Sequence, residues 1–352
     1  TVLNYFYCSL TQFSLHSRRL KMKLTYISIL RSLSILVVVF FHVYHYMYVP
    51  AHFPETVQMY HDTYFWFNQC VGINIAMPMF TLIAGFLFSY FYDKGKYQEF
   101  VPLIKKKAMR LLLPFFVFGI LMMATTGVPF RPWELYTGGF AHLWYLSFLF
   151  WCFPLGWFIK KYMKSVNVQV FMLVVFLLGV SQDKFLPRIL GIHIITKWFG
   201  WFMLGMLLAS YQMKMKKVIS KYHLALLLSV PFLLQLYFNP LEYGHQTWYS
   251  VLCVASLLVG ILYIFANMGG HILRLCQPLV WLSKYSFGIY IFHYWVGPYM
   301  ISSTAKRIFP LEDLAANHVV LFPLMLTLSV IFVSWCLSWA LMQTKVGRML
   351  IG

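Results

Sequence analysis

The chain has 352 residues, of which 61% are hydrophobic and only 11% are charged, and its mean hydropathy is +0.71. A soluble domain of this length has too little interior to hide so much apolar surface, so the composition indicates a polytopic membrane protein. The formal net charge of +19 does not indicate nucleic-acid binding, because the Lys and Arg residues cluster in short breaks between apolar runs. In that position they carry information on topology.

The amino-terminal stretch does not look like a membrane span. Its apolar patch, residues 2–15, is too short and too polar to cross a bilayer. Met22 has the sequence context of a natural start, and no small-residue cleavage site follows the first long apolar run, so no cleaved signal peptide is expected. We expect residues 1–25 to form a cytoplasmic or interfacial arm, 26–341 a single transmembrane domain, and 342–352 a cytoplasmic tail.

Apolar segments separated by short polar breaks predict an all-α integral membrane protein with about ten transmembrane helices. When the breaks are assigned alternately to the two sides, about twenty Lys and Arg residues fall on one side and about six on the other. Both termini are therefore predicted to be cytoplasmic and residues 50–64 to form an outer loop. The predicted segments are approximately 26–48, 70–92, 108–126, 141–159, 166–180, 198–211, 223–238, 248–268, 279–301 and 318–341.

The first segment contains an arginine and a histidine within its apolar run. Arg31 and His42 are separated by three helical turns plus about 20°, so they share one helix face and lie roughly 16 Å apart along the axis. A central charge costs at least ~2.5–3.5 kcal/mol in a bilayer, so residues of this kind are candidates for function. Taken singly, Arg31 could extend to the interface and His42 could be a satisfied core histidine. Together on one face they indicate a site.

Other histidines lie in or at the mouths of predicted segments, namely His45, His142 and His293. The predicted topology places His142 and His293 in the outer half of the membrane, at a depth similar to that of His42. Imidazole is the side chain that most readily accepts a proton near neutral pH, so these residues are candidate bases for deprotonating a hydroxyl. For His45 and His142 the structural alternative is an ordinary interfacial position.

Two polar or aromatic patterns accompany these histidines. Trp144 belongs to an aromatic run of the kind found in membrane interfaces. Ser286, Tyr290 and His293 follow an i, i+4, i+7 spacing and so form one polar stripe on the ninth predicted helix. For Ser286 the alternative is a small residue that aids helix packing.

A basic pair precedes the third segment. Lys107 and Arg110 are three residues apart and share a helix face, where they could hold the phosphates of an anionic cosubstrate or anchor the chain on lipid headgroups. The chain has no Walker or glycine-rich nucleotide motif, so a nucleotide would be bound by such side chains. The six cysteines show no metal-ligand spacing, and no metal site is expected.

In their order along the chain, these motifs resemble acyltransferase family 3, the integral-membrane acyltransferases that modify bacterial surface polysaccharides. The chain departs from the family pattern at Lys107, where the family often has arginine, and at Ala84, where it often has serine. The matching motifs are Arg31-x10-His42, Phe80-Thr-Leu-Ile-Ala-Gly85-Phe86, Lys107-x-x-Arg110-Leu-x-x-Pro114, His142-Leu-Trp144-Tyr145-Leu146 and Ser286-Phe-Gly288-Ile-Tyr290-Ile-Phe-His293.

The resemblance implies an O-acyltransferase of the bacterial plasma (inner) membrane that moves an acyl group, expected to be acetyl, from acyl-CoA to a hydroxyl of a cell-surface or exported polysaccharide or glycolipid. Acetyl-CoA would be a cosubstrate, with no permanently bound cofactor. The expected partners are this donor, the glycan acceptor, the lipid bilayer and proteins of polysaccharide synthesis, but no nucleic acid.

The resemblance also assigns roles to residues. Arg31, Lys107 and Arg110 would hold the donor phosphates. His42 and Arg31 would be catalytic, with His42 accepting the proton of the attacking hydroxyl or carrying the acyl group itself. The expected supporting residues are His142, Trp144, Ser286, Tyr290 and His293.

Two alternatives remain open at the level of sequence. One is a polysaccharide or glycolipid transporter or flippase that uses the polar stripes as a substrate path. The predicted spans contain none of the nine acidic residues, which argues against proton coupling but not against a passive flippase. The other is a membrane acyltransferase of another fold that acts on lipids or proteins.

Overall fold

The computed structural model describes residues 24–48, 56–70, 72–125, 131–178, 186–212, 228–234, 248–297 and 309–352. Helices dominate these residues, and no strand occurs among them. The predicted amino-terminal arm up to residue 23, with Met22, lies outside the described part of the chain. Of the predicted seventh segment only residues 228–234 are described, and they are helical.

The helices follow one another with short connections. In the first half they are α1 (Thr25–Tyr48), α2 (Val57–Cys70), α3 (Gly72–Asp93), α4 (Phe100–Lys107), α5 (Leu113–Thr125), α6 (Pro132–Thr137), α7 (Trp144–Tyr162) and α8 (Val166–Leu178). In the second half they are α9 (Ile195–Gln212), α10 (Trp248–Ala266), α11 (Gly270–Leu275), α12 (Gln277–Leu282), α13 (Ser286–Tyr294), α14 (Leu311–Asn317), α15 (Leu321–Met342) and α16 (Lys345–Ile351).

Within the described residues, six helical segments are long and apolar enough to cross a membrane. Two shorter apolar helices, at residues 166–177 and 250–266, coincide with the predicted fifth and eighth segments. The long segments are Thr25–His45, Asn74–Asp93, Phe100–Thr125, Pro132–Tyr162, Ile192–Ser210 and Leu321–Met342.

Three predicted segments contain features that the sequence did not indicate. The predicted outer loop at 50–64 contains the start of helix α2, which at 14 residues is too short to count as a span. The ninth predicted segment, 279–301, is interrupted between α12 and α13. Finally, the predicted tail contains helix α16, which begins after Thr344, whose hydroxyl caps the Gly347 amide at 2.8 Å.

Helix α1 lies at the centre and packs against α3, α12, α13 and α15. The hydroxyl of Ser32 on α1 donates to the Leu279 carbonyl of α12 at 2.5 Å, so a hydrogen bond connects these two helices. Helices α3 and α9 approach closely at Gly85, where any side chain would overlap the Phe202 backbone. Small residues at such crossings are the usual means of close helix packing in membranes.

Candidate active site along the first helix

Two pockets of different size and chemistry lie along helix α1. The larger has a volume of about 410 Å³ and includes Arg31 in its wall. The smaller has a volume of about 30 Å³ and includes His42. Because these residues are three turns apart on one helix face, α1 connects the two pockets over roughly 16 Å.

The larger pocket, here called the basic pocket, brings four cations together: Arg31, Lys107, Arg110 and Lys284. No Asp or Glu side chain is among its lining residues, and in the described part of the chain none lies within 4.0 Å of these four cations. Ser286 also lines it. The pocket is therefore suited to a ligand with several negative charges.

The local structure around the third segment places two of these cations. Lys107 ends α4, and its Nζ lies 3.5 Å from the centroid of the Phe153 ring, a cation–π contact. Arg110 lies in a π-helical turn, Ala108–Leu112, and its guanidinium donates to the Gly352 carbonyl. A π turn rotates the chain less per residue than an α-helix, and such turns often occur at functional sites.

Tyr97 lies in the wall of the same pocket. The Lys107 Nζ is 5.2 Å from its ring centroid. Burial raises the pKa of the Tyr97 phenol, against the opposing positive charge of Arg110. The phenol therefore remains neutral at neutral pH and can act as a hydrogen-bond donor to a ligand.

Lys284 was missed in the sequence analysis. It falls within the predicted ninth segment, and a lysine inside an apolar run is itself a sign of a functional position. The structure explains its position, because α12 ends at Leu282 and α13 begins only at Ser286. The Ser286 hydroxyl donates to the Ser283 carbonyl at 2.8 Å in this break. The interruption of the helix leaves Lys284 facing the basic pocket.

The smaller pocket, here called the histidine pocket, lies beside three imidazole rings from three separate parts of the chain. The Nδ1 atom of His42 is 3.2 Å from the Nε2 atom of His293, and their ring centroids are 4.9 Å apart. The ring of His142 lies 5.0 Å from that of His293. His42 and His142 line the pocket itself, whereas His293 packs behind them.

Carbonyl partners fix the tautomers of these neutral rings, because a carbonyl oxygen only accepts. His293 Nδ1 donates to the Tyr290 carbonyl at 2.7 Å, so its Nε2 is an acceptor. His42 Nδ1 donates to the Val38 carbonyl at 2.9 Å and also faces the His293 acceptor. The Nε2 atom of His42 is left with its lone pair, which is the state that a general base requires.

His142 is held in place by a constrained turn. It lies in a 3₁₀ turn, Ala141–Leu143, directly after Ala141, whose φ of 41° is unusual for a residue with a side chain. The Ser147 hydroxyl fastens this turn by donating to the Gly138 carbonyl at 2.9 Å. A side chain at Gly138 would overlap the backbone of Gly191, which packs against it. The ring of His142 donates from Nε2 to the Ile291 carbonyl at 3.1 Å.

Aromatic residues surround the histidine pocket. Tyr290 lines the histidine pocket together with Trp144, and its hydroxyl donates to the His142 carbonyl. The ring of Tyr145 is 6.0 Å from that of Tyr290. His45 is not part of either lining, since it is exposed and stacks on Phe41 at 6.0 Å.

The histidine cluster is not arranged as a metal site. Among the described residues, no group of three or more His, Cys, Asp or Glu side chains is placed to hold a metal ion. The hydrogen bonds explain this, since His42 Nδ1, His142 Nε2 and His293 Nδ1 all donate to backbone carbonyls.

Comparison with known families agrees with this architecture. A family model described as an acyltransferase domain matches residues 24–341, nearly the whole chain. With its apolar helices, the protein is thus a multi-pass membrane acyltransferase. The chain belongs to acyltransferase family 3. No curated protein and no solved structure gives a significant match to it.

Proposed function

We propose that this protein takes an acetyl group from acetyl-CoA and transfers it to a hydroxyl of a cell-surface or exported polysaccharide or glycolipid in the bacterial plasma membrane. The observation that carries this proposal is the pairing along α1 of a basic pocket around Arg31 with a histidine pocket around His42. The first suits a polyanionic donor and the second a hydroxyl that loses a proton.

The basic pocket would hold the phosphates of CoA. Arg31 can offer two parallel hydrogen bonds to one phosphate, and Lys107, Arg110 and Lys284 add positive charge around it. The acyl-bearing arm would then extend along α1 over roughly 16 Å to His42. This distance is within reach of an extended pantetheine arm, so donor binding and chemistry can take place at separate ends of one helix.

The chemistry at His42 would be direct transfer. The Nε2 atom of His42 accepts the proton of the sugar hydroxyl while the hydroxyl oxygen forms a bond to the acyl carbon. The carbon–sulfur bond of the thioester breaks, and the thiolate of CoA takes the proton from His42. During this step the imidazolium would be stabilised by the Val38 carbonyl and by the lone pair on His293 Nε2.

The proposal includes an orientation. About ten crossings with both termini in the cytoplasm would place the basic pocket at the inner surface, where acetyl-CoA is available, and His42 in the outer half of the membrane. The excess of Lys and Arg in the predicted inner loops supports it. Cysteine tagging at residues 50–64 from outside the cell tests this, and labelling only from the cytoplasm would reverse the orientation.

The function is tested with purified protein in detergent and acetyl-CoA labelled in the acetyl group. We expect calorimetry to show donor binding, and labelled ester to form when a polysaccharide or glycoside acceptor is added. Release of free CoA gives the turnover. Absence of donor binding together with absence of CoA release would refute the assignment of acetyl-CoA as donor.

A further inference from the structure

Three residues in the wall of the histidine pocket are apolar. Val38 and Phe41 belong to α1, and Met77 belongs to α3. All three are buried, with at most 5% of their surface exposed. None of the described residues that line this pocket is Lys, Arg, Asp or Glu. The space beside His42 is therefore suited to a small uncharged group that has an apolar part.

The volume of the pocket limits the size of that group. A water-sized group needs about 10–15 Å³ measured in this way, so the volume of about 30 Å³ admits roughly two such groups. An acetyl group has two groups of this size on its carbonyl carbon, the methyl and the oxygen. A butyryl group has two further methylenes and would need roughly twice the volume. A sugar ring is larger still, so of the two proposed substrates the acyl end of the donor fits the pocket better.

Met77 differs from the other two apolar wall residues in its relation to His42. The Val38 carbonyl accepts the His42 Nδ1 hydrogen at 2.9 Å, and Phe41 is the chain neighbour of His42. Met77 comes from another helix, and its own carbonyl accepts from the Thr81 hydroxyl at 2.9 Å. The hydrogen bonds that hold the His42 ring do not involve it. Met77 can therefore limit the space in the pocket without holding the catalytic ring.

We propose that the histidine pocket receives the acyl group of the donor during transfer, and that Met77 limits this group to acetyl. The methyl group lies against the apolar wall, and the carbonyl carbon faces the hydroxyl that His42 deprotonates. A longer acyl chain has to displace the Met77 side chain, and a charged acyl group buries its charge without a partner. Met77 is thus a specificity-determining residue. This inference rests on the proposed function and adds the size and charge of the transferred group to it.

The first test compares donors that differ in acyl length. The purified full chain in detergent is supplied with acetyl-, propionyl- or butyryl-CoA and with methyl β-D-glucopyranoside as acceptor, and release of free CoA is followed. One methylene in a fitted pocket changes kcat/KM by about 10–200-fold. We therefore expect kcat/KM to fall roughly 10-fold from acetyl to propionyl and roughly 100-fold from acetyl to butyryl. Equal rates for the three donors would overturn the proposal.

Variants at Met77 show whether this residue sets the limit. Met77→Ala enlarges the pocket and should raise kcat/KM for butyryl-CoA relative to acetyl-CoA by about tenfold or more. Met77→Leu keeps the side-chain volume and should keep the wild-type ratio. Met79→Ala is the matched control, since Met79 is a methionine of the same helix that is 3% exposed and lines neither pocket. It should leave the ratio unchanged.

Succinyl-CoA separates the effect of charge from that of length. Its acyl group carries a carboxylate where butyryl carries a methyl group, and no Lys or Arg among the described lining residues is present to pair with it. Met77→Ala should therefore admit butyryl but not succinyl, which should stay about 100-fold or more below butyryl in kcat/KM. Equal gains for both acyl groups would mean that the chain end reaches water instead of the pocket, which would contradict the proposal.

The outcomes separate this inference from the function on which it rests. If CoA is released from all the donors at similar rates, or if Met77→Ala and Met79→Ala shift the ratio equally, the size limit is wrong and the proposed function stands. If acyl-CoA binds but no CoA is released, both are wrong. Should Met77→Ala fail to fold, Met77→Val removes less volume and provides the same comparison.

Discussion

The basic pocket and the histidine pocket share helix α1 and are built in opposite ways. The basic pocket has about 410 Å³ and carries long cationic side chains, of which Arg110 and Lys284 are exposed. The histidine pocket has about 30 Å³. Its rings are fixed by hydrogen bonds to backbone carbonyls, and His142 and His293 are buried.

This difference indicates which step each pocket controls. A wide surface with several cations attracts a polyanion and tolerates the loss of one contact, because the remaining charges still act. A fixed lone pair works only on a group held at the right place, so its loss removes the reaction step itself. Substitutions in the basic pocket should therefore change the donor KM, and those in the histidine pocket should change kcat.

The largest effect is expected for His42→Ala. Loss of the base should lower turnover by roughly 10²–10⁴-fold, while acetyl-CoA binding stays within about twofold because the proposed phosphate site lies roughly 16 Å away. Calorimetry measures the binding, and release of free CoA with a glycan acceptor measures the turnover. If this variant loses donor binding yet turns over normally at saturating donor, His42 is not the catalytic base.

His293 should come next, as a positioning residue behind His42. His293→Phe removes the acceptor that shares the His42 Nδ1 hydrogen, and we expect kcat to fall by roughly 10–100-fold with little change in the donor KM. His293→Gln offers an amide oxygen near the Nε2 position and should recover part of the loss. A purely structural role would instead lower the amount of folded protein and show no recovery with Gln.

The sequence was sufficient where a feature depends on a local pattern. The first apolar run was predicted at 26–48, and α1 spans Thr25–Tyr48, because a run of this length has no other way to satisfy its backbone in a membrane. The shared face of Arg31 and His42 follows from helical periodicity alone.

Features that depend on contacts between distant segments cannot be predicted from local sequence patterns. The approach of His293 to His42 joins residues 251 positions apart and arises from the packing of α13 on α1. At the break before α13, the hydroxyls of Ser283 and Ser286 donate to nearby backbone carbonyls, and an apolarity profile does not register such bonds. For this reason the sequence predicted one continuous ninth segment and overlooked Lys284.

A smaller effect is expected for Arg31→Lys. The charge is retained, but the planar fork that makes two parallel hydrogen bonds to a phosphate is lost. We expect acetyl-CoA binding to weaken about tenfold while kcat at saturating donor changes by less than about threefold. Steady-state kinetics with varied acetyl-CoA separates the two constants. A fall in kcat equal to that of His42→Ala would mean that Arg31 acts at the reacting atoms.

The smallest effect should come from Lys284→Ala, and it tests whether the break before α13 serves donor binding. Lys284 is exposed, so solvent screens its charge and its loss should raise the acetyl-CoA KM only about three- to tenfold, with kcat unchanged. Lys105→Ala is the matched control, because Lys105 is also an exposed lysine near the same surface but does not line the pocket.

Salt dependence sharpens this last test. A cation that binds a phosphate contributes less as ionic strength rises, so added salt should raise the KM of the wild type more steeply than that of Lys284→Ala. The Lys105→Ala control should follow the wild type. Equal salt dependence in all three proteins would remove Lys284 from the donor site and leave Arg31, Lys107 and Arg110 as its cations.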